Sequence, residues 1–170
     1  MYKPTWLRAV ILFLLLLSAS CASAASSAPG PSAPQTPSPV SDEELNAAIK
    51  EAQGTMSTLL QAVLAPKASY DFLGVKVRFT KQDGGYDDNW VEPVDYYDGI
   101  FTIRMMDGLT YNTNLHPDRT LDVPARKVVD WMIVEKDGTL IGGYTIRLSY
   151  EHMTQEQRDE FLRVTGYKME

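Results

Sequence analysis

Side chains able to do covalent chemistry are few in this chain. It has one cysteine, Cys21, and two histidines, His116 and His152. A hydrolase would need a nucleophile with a base in reach, yet Ser57, Ser69 and Ser149 stand in no Gly-x-Ser-x-Gly elbow. His116 adjoins Pro117 in a polar stretch, and His152 just precedes a helix-cap pattern, so solvation and capping are their expected roles. Paired carboxylates for glycosidic chemistry would have to come from Asp83, Asp87, Asp88, Glu92, Asp95, Asp98 or Asp107. These acids crowd around turns, where carboxylates ordinarily shape hairpins. The stretch 83–89 offers oxygen ligands to calcium, but without the Asp-x-Asp-x-Asp-Gly order or a bidentate Glu. Met105, Met106 and Met132 beside Ile and Phe read as core rather than as thioether ligands. No catalytic residue, metal site or cofactor is expected.

Asp130-Trp131-Met132 is the group with most to offer. In a strand, Trp131 faces opposite to Asp130 and Met132. Two arrangements follow. In the structural one, Trp131 fills the core beside Tyr144 or Trp90, and Asp130 bonds a backbone amide or Arg147. In the functional one, Trp131 or Trp90 joins Tyr96, Tyr97 and Tyr111 in an exposed aromatic groove, where amphipathic rings bind peptide or glycan. Trp90, Tyr96, Tyr97, Asp130, Trp131 and Tyr144 are therefore the candidate binding surface.

The elements that must position these residues follow from periodicity. Ser41 and Glu44 form a capping-box pattern, and Leu45, Ala48, Ile49, Ala52, Met56, Leu59, Leu60, Val63 and Leu64 recur at helical spacing as far as Pro66. This predicts one helix of about six turns. The period then changes to 2. Val75, Val77 and Phe79 alternate with polar residues, 90–97 and 100–105 meet at Asp98-Gly99, and 128–135 and 139–149 meet at Asp137-Gly138. Asp-Gly between alternating runs favours tight hairpins, and a short strand is expected at 120–123. Pro93 predicts an edge position or a bulge, and Gly142-Gly143 a bulge or a close backbone approach. Thr154 and Gln157 form a second capping box before a short helix that Gly166 ends.

The N-terminus bears on location. Lys3 and Arg8 precede the apolar run 9–17, followed by small residues, the order of a secretory signal; as a helix the run rises only about 14 Å, too little to span a bilayer. Two processing signals then overlap. Ala22-Ser23-Ala24 suits cleavage before Ala25, while Leu17-Ser18-Ala19-Ser20-Cys21 resembles a lipobox with Cys21 as the lipidated residue. Residues 22–40 are almost wholly Ala, Ser, Pro, Gly, Gln and Thr and uncharged, a composition that cannot bury enough apolar surface to order itself. Extended, they reach at most about 60 Å. Such a spacer suits a domain held off a membrane, so lipidation at Cys21 is expected, with soluble secretion as the alternative. The division is a signal peptide over 1–20, a tether over 21–40 and one domain over 41–170. Without Lys3 and Arg8 the chain has 14 basic and 22 acidic residues, a net charge near −8. That balance argues against nucleic acid, whose backbone is bound through Lys and Arg.

From about 47 to 148 the sequence resembles the bacterial YegJ-like family, domain of unknown function 2314. The resemblance rests on Val75-Lys76-Val77-Arg78-Phe79, Asn89-Trp90-Val91-Glu92 and Asp98-Gly99-Ile100-Phe101. It is strongest at Val128-Val129-Asp130-Trp131-Met132-Ile133 and Leu140-Ile141-Gly142-Gly143-Tyr144-Thr145-Ile146-Arg147-Leu148. It implies a fold and no established activity. Strands segregated from helices predict an α+β domain: a long N-terminal helix on a strongly bent antiparallel sheet of five or six strands, partly barrel-like, with a short C-terminal helix. The leading functional expectation is a non-catalytic module tethered in the bacterial envelope that binds a protein or envelope polymer. The alternatives are an envelope hydrolase using Asp and Glu, or an inhibitor or immunity-like protein.

Overall fold

The computed structural model describes residues 38–66, 69–81, 83–105 and 120–169. Cys21, most of the tether, Asp107, Tyr111 and His116 lie outside the described residues. The elements run α1 (Asp42–Gly54), α2 (Met56–Leu64), β1 (Phe72–Thr80), β2 (Tyr86–Tyr97), β3 (Ile100–Arg104), β4 (Thr120–Pro124), a 3-10 turn (Ala125–Lys127), β5 (Val128–Val134), β6 (Leu140–Gly142), α3 (Tyr144–Glu151) and α4 (Gln155–Thr165). Six strands pair antiparallel in the order β4-β3-β2-β1-β5-β6. The class is α+β, as the segregation of strands and helices predicts.

The sheet cannot be flat. β4 and β5 lie four strand spacings apart in the order, about 19 Å in a planar sheet, yet only Ala125–Lys127 separates them in the chain, a link that reaches about 14 Å at full stretch. The sheet therefore curls until Val123 and Val128 enter one core with Val75, Val77, Val91, Phe101 and Ile103. It stops short of a barrel, because β4 pairs with β3 and β5 pairs with β1 and β6. Asp98 (φ +45°) and Gly99 (φ +79°) make the predicted tight turn. Pro93 sits at a bulge, where β2 slips one residue against β3 between Pro93 and Asp95. It is not on an edge strand; the β1 ladder ends at Val91, so the missing N–H interrupts no bond on that side.

Two expectations need correction. The six-turn helix is two helices, broken at Thr55 (φ −106°, ψ 14°). Gly54 weakens the helix interior, and the Thr55 hydroxyl donates to Glu51 O (3.0 Å) and Ala52 O (3.2 Å), competing with the backbone ladder. A Cβ at Gly54 meets nothing within 4 Å. Gly54→Ala is expected to stabilise the domain by about 0.5–1 kcal/mol in urea unfolding, and a loss of stability would mean that the break depends on glycine itself.

The long strand predicted at 139–149 is three residues of strand followed by a helix. Gly142 (φ +71°) and Gly143 (φ +65°) are both left-handed and turn the chain out of the sheet. Alternation over Thr145-Ile146-Arg147-Leu148 suits a strand, but so short a run also suits one helix face. The capping boxes at Ser41–Glu44 and Thr154–Gln157 form as predicted, and Gly166 (φ +70°) ends α4.

Helices cover both sides of β5. Leu59 of α2 joins Val75, Trp131 and Ile133 in the larger core, while Phe161 of α4 and Tyr167 pack on Met132, Val134 and Leu140. Burial pushes the Tyr167 hydroxyl up to about 12, from 10 for an ordinary tyrosine. Below pH 10 the group is neutral whether the chain is folded or not. Between pH 10 and 12 the unfolded chain loses this proton first, so stability falls as pH rises. Tyr167→Phe is expected to flatten that decline by up to about 2–3 kcal/mol; an unchanged alkaline limb in pH-dependent unfolding would contradict it.

Candidate functional site

The register of β1 sorts the predicted site residues onto two faces. Val75 pairs with Val91 and Trp131, and Lys76 pairs with Trp90 and Asp130. Since cross-strand partners share a face, Trp131 points into the core and Trp90 lies on the other side with Lys76 and Asp130. Trp131 is 1% exposed, donates Nε1–H to Ala52 O at 2.9 Å, and meets Tyr144 edge-on at 6.0 Å between ring centroids. The break between α1 and α2 frees the Ala52 carbonyl that receives this bond. Of the two predicted neighbours, Tyr144 is the one beside Trp131.

Asp130 is fully buried and accepts four hydrogen bonds. Trp131 N (2.7 Å) and Tyr144 N (3.1 Å) donate to Oδ1; Thr145 N (2.8 Å) and Thr145 Oγ1 (2.6 Å) donate to Oδ2. A carboxylate on β5 thus serves as the N-cap of α3, where free amides and the helix dipole favour negative charge. Lys76 Nζ donates to Thr145 Oγ1 at 3.1 Å and stands 5.8 Å from the Trp90 ring centroid. Burial pushes the Asp130 carboxyl above the usual carboxylate range, opposed by its hydrogen bonds to Thr145 and Trp131 and by Lys76. Burial lowers the Lys76 ammonium, opposed by Asp130 and Asp88. Arg147, the other partner predicted for Asp130, instead donates to Gly142 O (2.8 Å) and Leu140 O on β6.

Trp90 is half-buried against the smaller core, at the inner end of a face that opens toward Tyr97. The extra residue at the β2 bulge keeps Glu92, Asp95 and Tyr97 in step with Arg104, Thr102 and Ile100 of β3, so one face carries Trp90, Glu92, Asp95 and Tyr97. Tyr97 is 82% exposed, opposite Ile100 at the hairpin end. Tyr96 points the other way, packed on Phe101 at 4.8 Å. The acids of this face are hydrogen-bonded within the domain: Asp88 accepts twice from Arg78 (2.8 and 2.7 Å), Glu92 once from Arg104 (3.0 Å), Asp122 from Thr102 (2.9 Å), and Asp95 from the adjacent Tyr96 amide (2.7 Å).

The family model described as an uncharacterized protein conserved in bacteria, domain of unknown function 2314 (DUF2314), matches residues 42–169. The chain belongs to this family. No curated protein and no solved structure matches it. β5 and α3, which lie in the strongest part of the resemblance, are thus the two sides of the Asp130 cap.

In this DUF2314 domain, no three Asp, Glu, His or Cys side chains converge as a metal site among the described residues. Nor does any helix among them have the length and apolarity to cross a membrane. The candidate surface divides accordingly. Asp130 and Trp131 are interior and do structural work, Trp90, Tyr96 and Tyr144 are half-buried, with Trp90 packed against the smaller core, and Tyr97 stands open on the sheet face. Sequence reading missed the cap on α3, because its acceptor lies fourteen residues upstream of the amides it serves; a buried acid in an apolar strand followed by Gly-Gly was the available signal.

Proposed function

We propose that this DUF2314 protein is an exported, non-catalytic binding module, held at the bacterial envelope by a lipid on Cys21, that docks a protein or envelope polymer on the sheet face running from Trp90 to Tyr97. The observation that carries the reading is the exposed Tyr97–Ile100 pair beside the Glu92–Arg104 and Thr102–Asp122 pairs. Aromatic and aliphatic side chains left in water next to ordered polar pairs make the mixture of apolar anchor and hydrogen-bonding rim found in recognition surfaces. The internal pairing of the carboxylates argues for recognition over acid–base chemistry, which needs an acid and a base free to exchange protons.

Cross-linking and recovery of the full chain from membranes tests the surface. Tyr97→Ala, at a side chain 82% exposed, is expected to reduce capture of a specific partner at least about tenfold while leaving the unfolding midpoint unchanged; full capture by that variant would overturn the assignment. The anchor has its own test. Cys21→Ala is expected to move the protein from the membrane pellet to the soluble fraction, and no redistribution would refute lipidation.

A further inference from the structure

A second surface lies away from the sheet face. α1 and α3 pack side by side, and β6 floors the space between them, leaving a groove of about 780 Å³. The helices run antiparallel. Glu44, at the start of α1, contacts His152 just past the end of α3 (3.3 Å), while Ala52 at the other end of α1 receives Trp131, which meets Tyr144 edge-on at the start of α3.

Each helix presents the same spacing to this groove. α1 contributes Glu44, Ala47, Ala48 and Glu51; α3 contributes Tyr144, Arg147, Leu148 and Glu151. Both sets fall at i, i+3, i+4 and i+7, the stripe that seats a neighbouring helix. Ala47 and Ala48 have side chains short enough to admit close backbone approach, and the floor holds Leu140 and Ile141. The stripes end in acids. Glu44 and Glu151 stand at one end and Glu51 at the other, about 10 Å along α1 from Glu44. Glu51 and Glu151 have no cationic partner among the described residues.

The groove does not invite an added strand. Three of the outward backbone groups of β6 are engaged: Lys168 O accepts from Leu140 N (3.1 Å), and Arg147 donates to Leu140 O and Gly142 O. What enters must therefore bring side chains rather than a hydrogen-bonding edge. Residues 22–37 precede Ser38, whose carbonyl lies 3.2 Å from His152 Nδ1, but they contain no Lys or Arg and do not match the acidic ends.

We infer that the α1–β6–α3 groove binds an amphipathic basic helix of a partner protein, with apolar side chains over Ala47, Ala48 and Leu148 and Lys or Arg two turns apart at Glu51 and at Glu44 with Glu151. This surface is distinct from the Trp90–Tyr97 face, and either can fail without the other.

The probe is a synthetic helical peptide with Leu at i+3 and i+4 flanked by Lys at i and i+7, compared with the same peptide carrying Glu in place of Lys. Titrated into the isotopically labelled full chain, the Lys peptide is expected to shift the amides of Ala47, Ala48, Ile141 and Leu148, more weakly as salt rises. Glu51→Lys with Glu151→Lys, both exposed in the native fold, is expected to weaken it at least about tenfold and to transfer the preference to the Glu peptide. Equal binding of the two peptides, no binding at about 1 mM, shifts confined to the sheet face, or insensitivity to the charge reversal would each overturn the inference. Self-association of the chain abolished by the same substitutions would overturn it in favour of a second copy as occupant.

Discussion

Asp130→Ala is expected to destabilise the domain by about 3–5 kcal/mol, measured as the shift in the denaturant midpoint at constant slope. The substitution strands the amides of Trp131, Tyr144 and Thr145, which all donate to this one carboxylate. It also takes from the half-buried Lys76 the larger of the two negative charges that compensate it, leaving only Asp88. An unpaired buried charge is the larger penalty, and a lost helix cap adds about 1 kcal/mol. The comparison that isolates the electrostatic part is the double variant Asp130→Ala with Lys76→Met. If the stranded ammonium dominates, the double variant recovers part of the loss; if the cap dominates, it is no more stable than Asp130→Ala. A single variant within about 1 kcal/mol of the wild type would refute the interior node altogether. Because Asp130 is fully buried, its loss is expected to act on folding and to leave the sheet face around Tyr97 untouched in whatever fraction stays folded.

Gly142→Ala is expected to be nearly as damaging, about 2–5 kcal/mol. The backbone at Gly142 has φ +71°, which costs an L side chain about 1–2 kcal/mol, and a Cβ built there would stand 2.5 Å from Trp131 O and 2.7 Å from its ring. A flexible side chain could give way, but a backbone carbonyl in a strand buried on both faces cannot. The strain of moving it is of the size seen when a packed core is overfilled. Gly143→Ala makes the internal control, because there the nearest atom is the end of Leu140 at 3.0 Å. Its cost is expected to be mostly the conformational one. Equal destabilisation by the two substitutions, in parallel thermal and denaturant unfolding, would show that φ rather than the approach to Trp131 sets the requirement.

These two positions mark how far the sequence could be read. The capping boxes at Ser41 and Thr154, the turn at Asp98-Gly99 and the alternation along 75–80 were legible because each signal is complete within six residues or fewer. The family resemblance pointed to the same α+β outcome. The interruption at Gly54-Thr55 was less legible, since the apolar spacing runs through it unbroken and the reward for breaking is a bond from Trp131, seventy-nine residues away. Tyr96 and Tyr97 alternate in either register; the Pro93 bulge decides which of them meets solvent.

The chain by itself determined where α1, α4 and the Asp98-Gly99 turn begin, that strands pair antiparallel, and that the domain over 41–170 is acidic and without a cysteine. It could not determine that Tyr144 opens a helix instead of extending a strand, nor which aromatics are core and which are surface. Those outcomes rest on Asp130, which caps α3 from β5, and on the curl that brings β4 back toward β5. Both depend on groups far apart in sequence, and a buried carboxylate finds its donors only once the sheet has placed them around it.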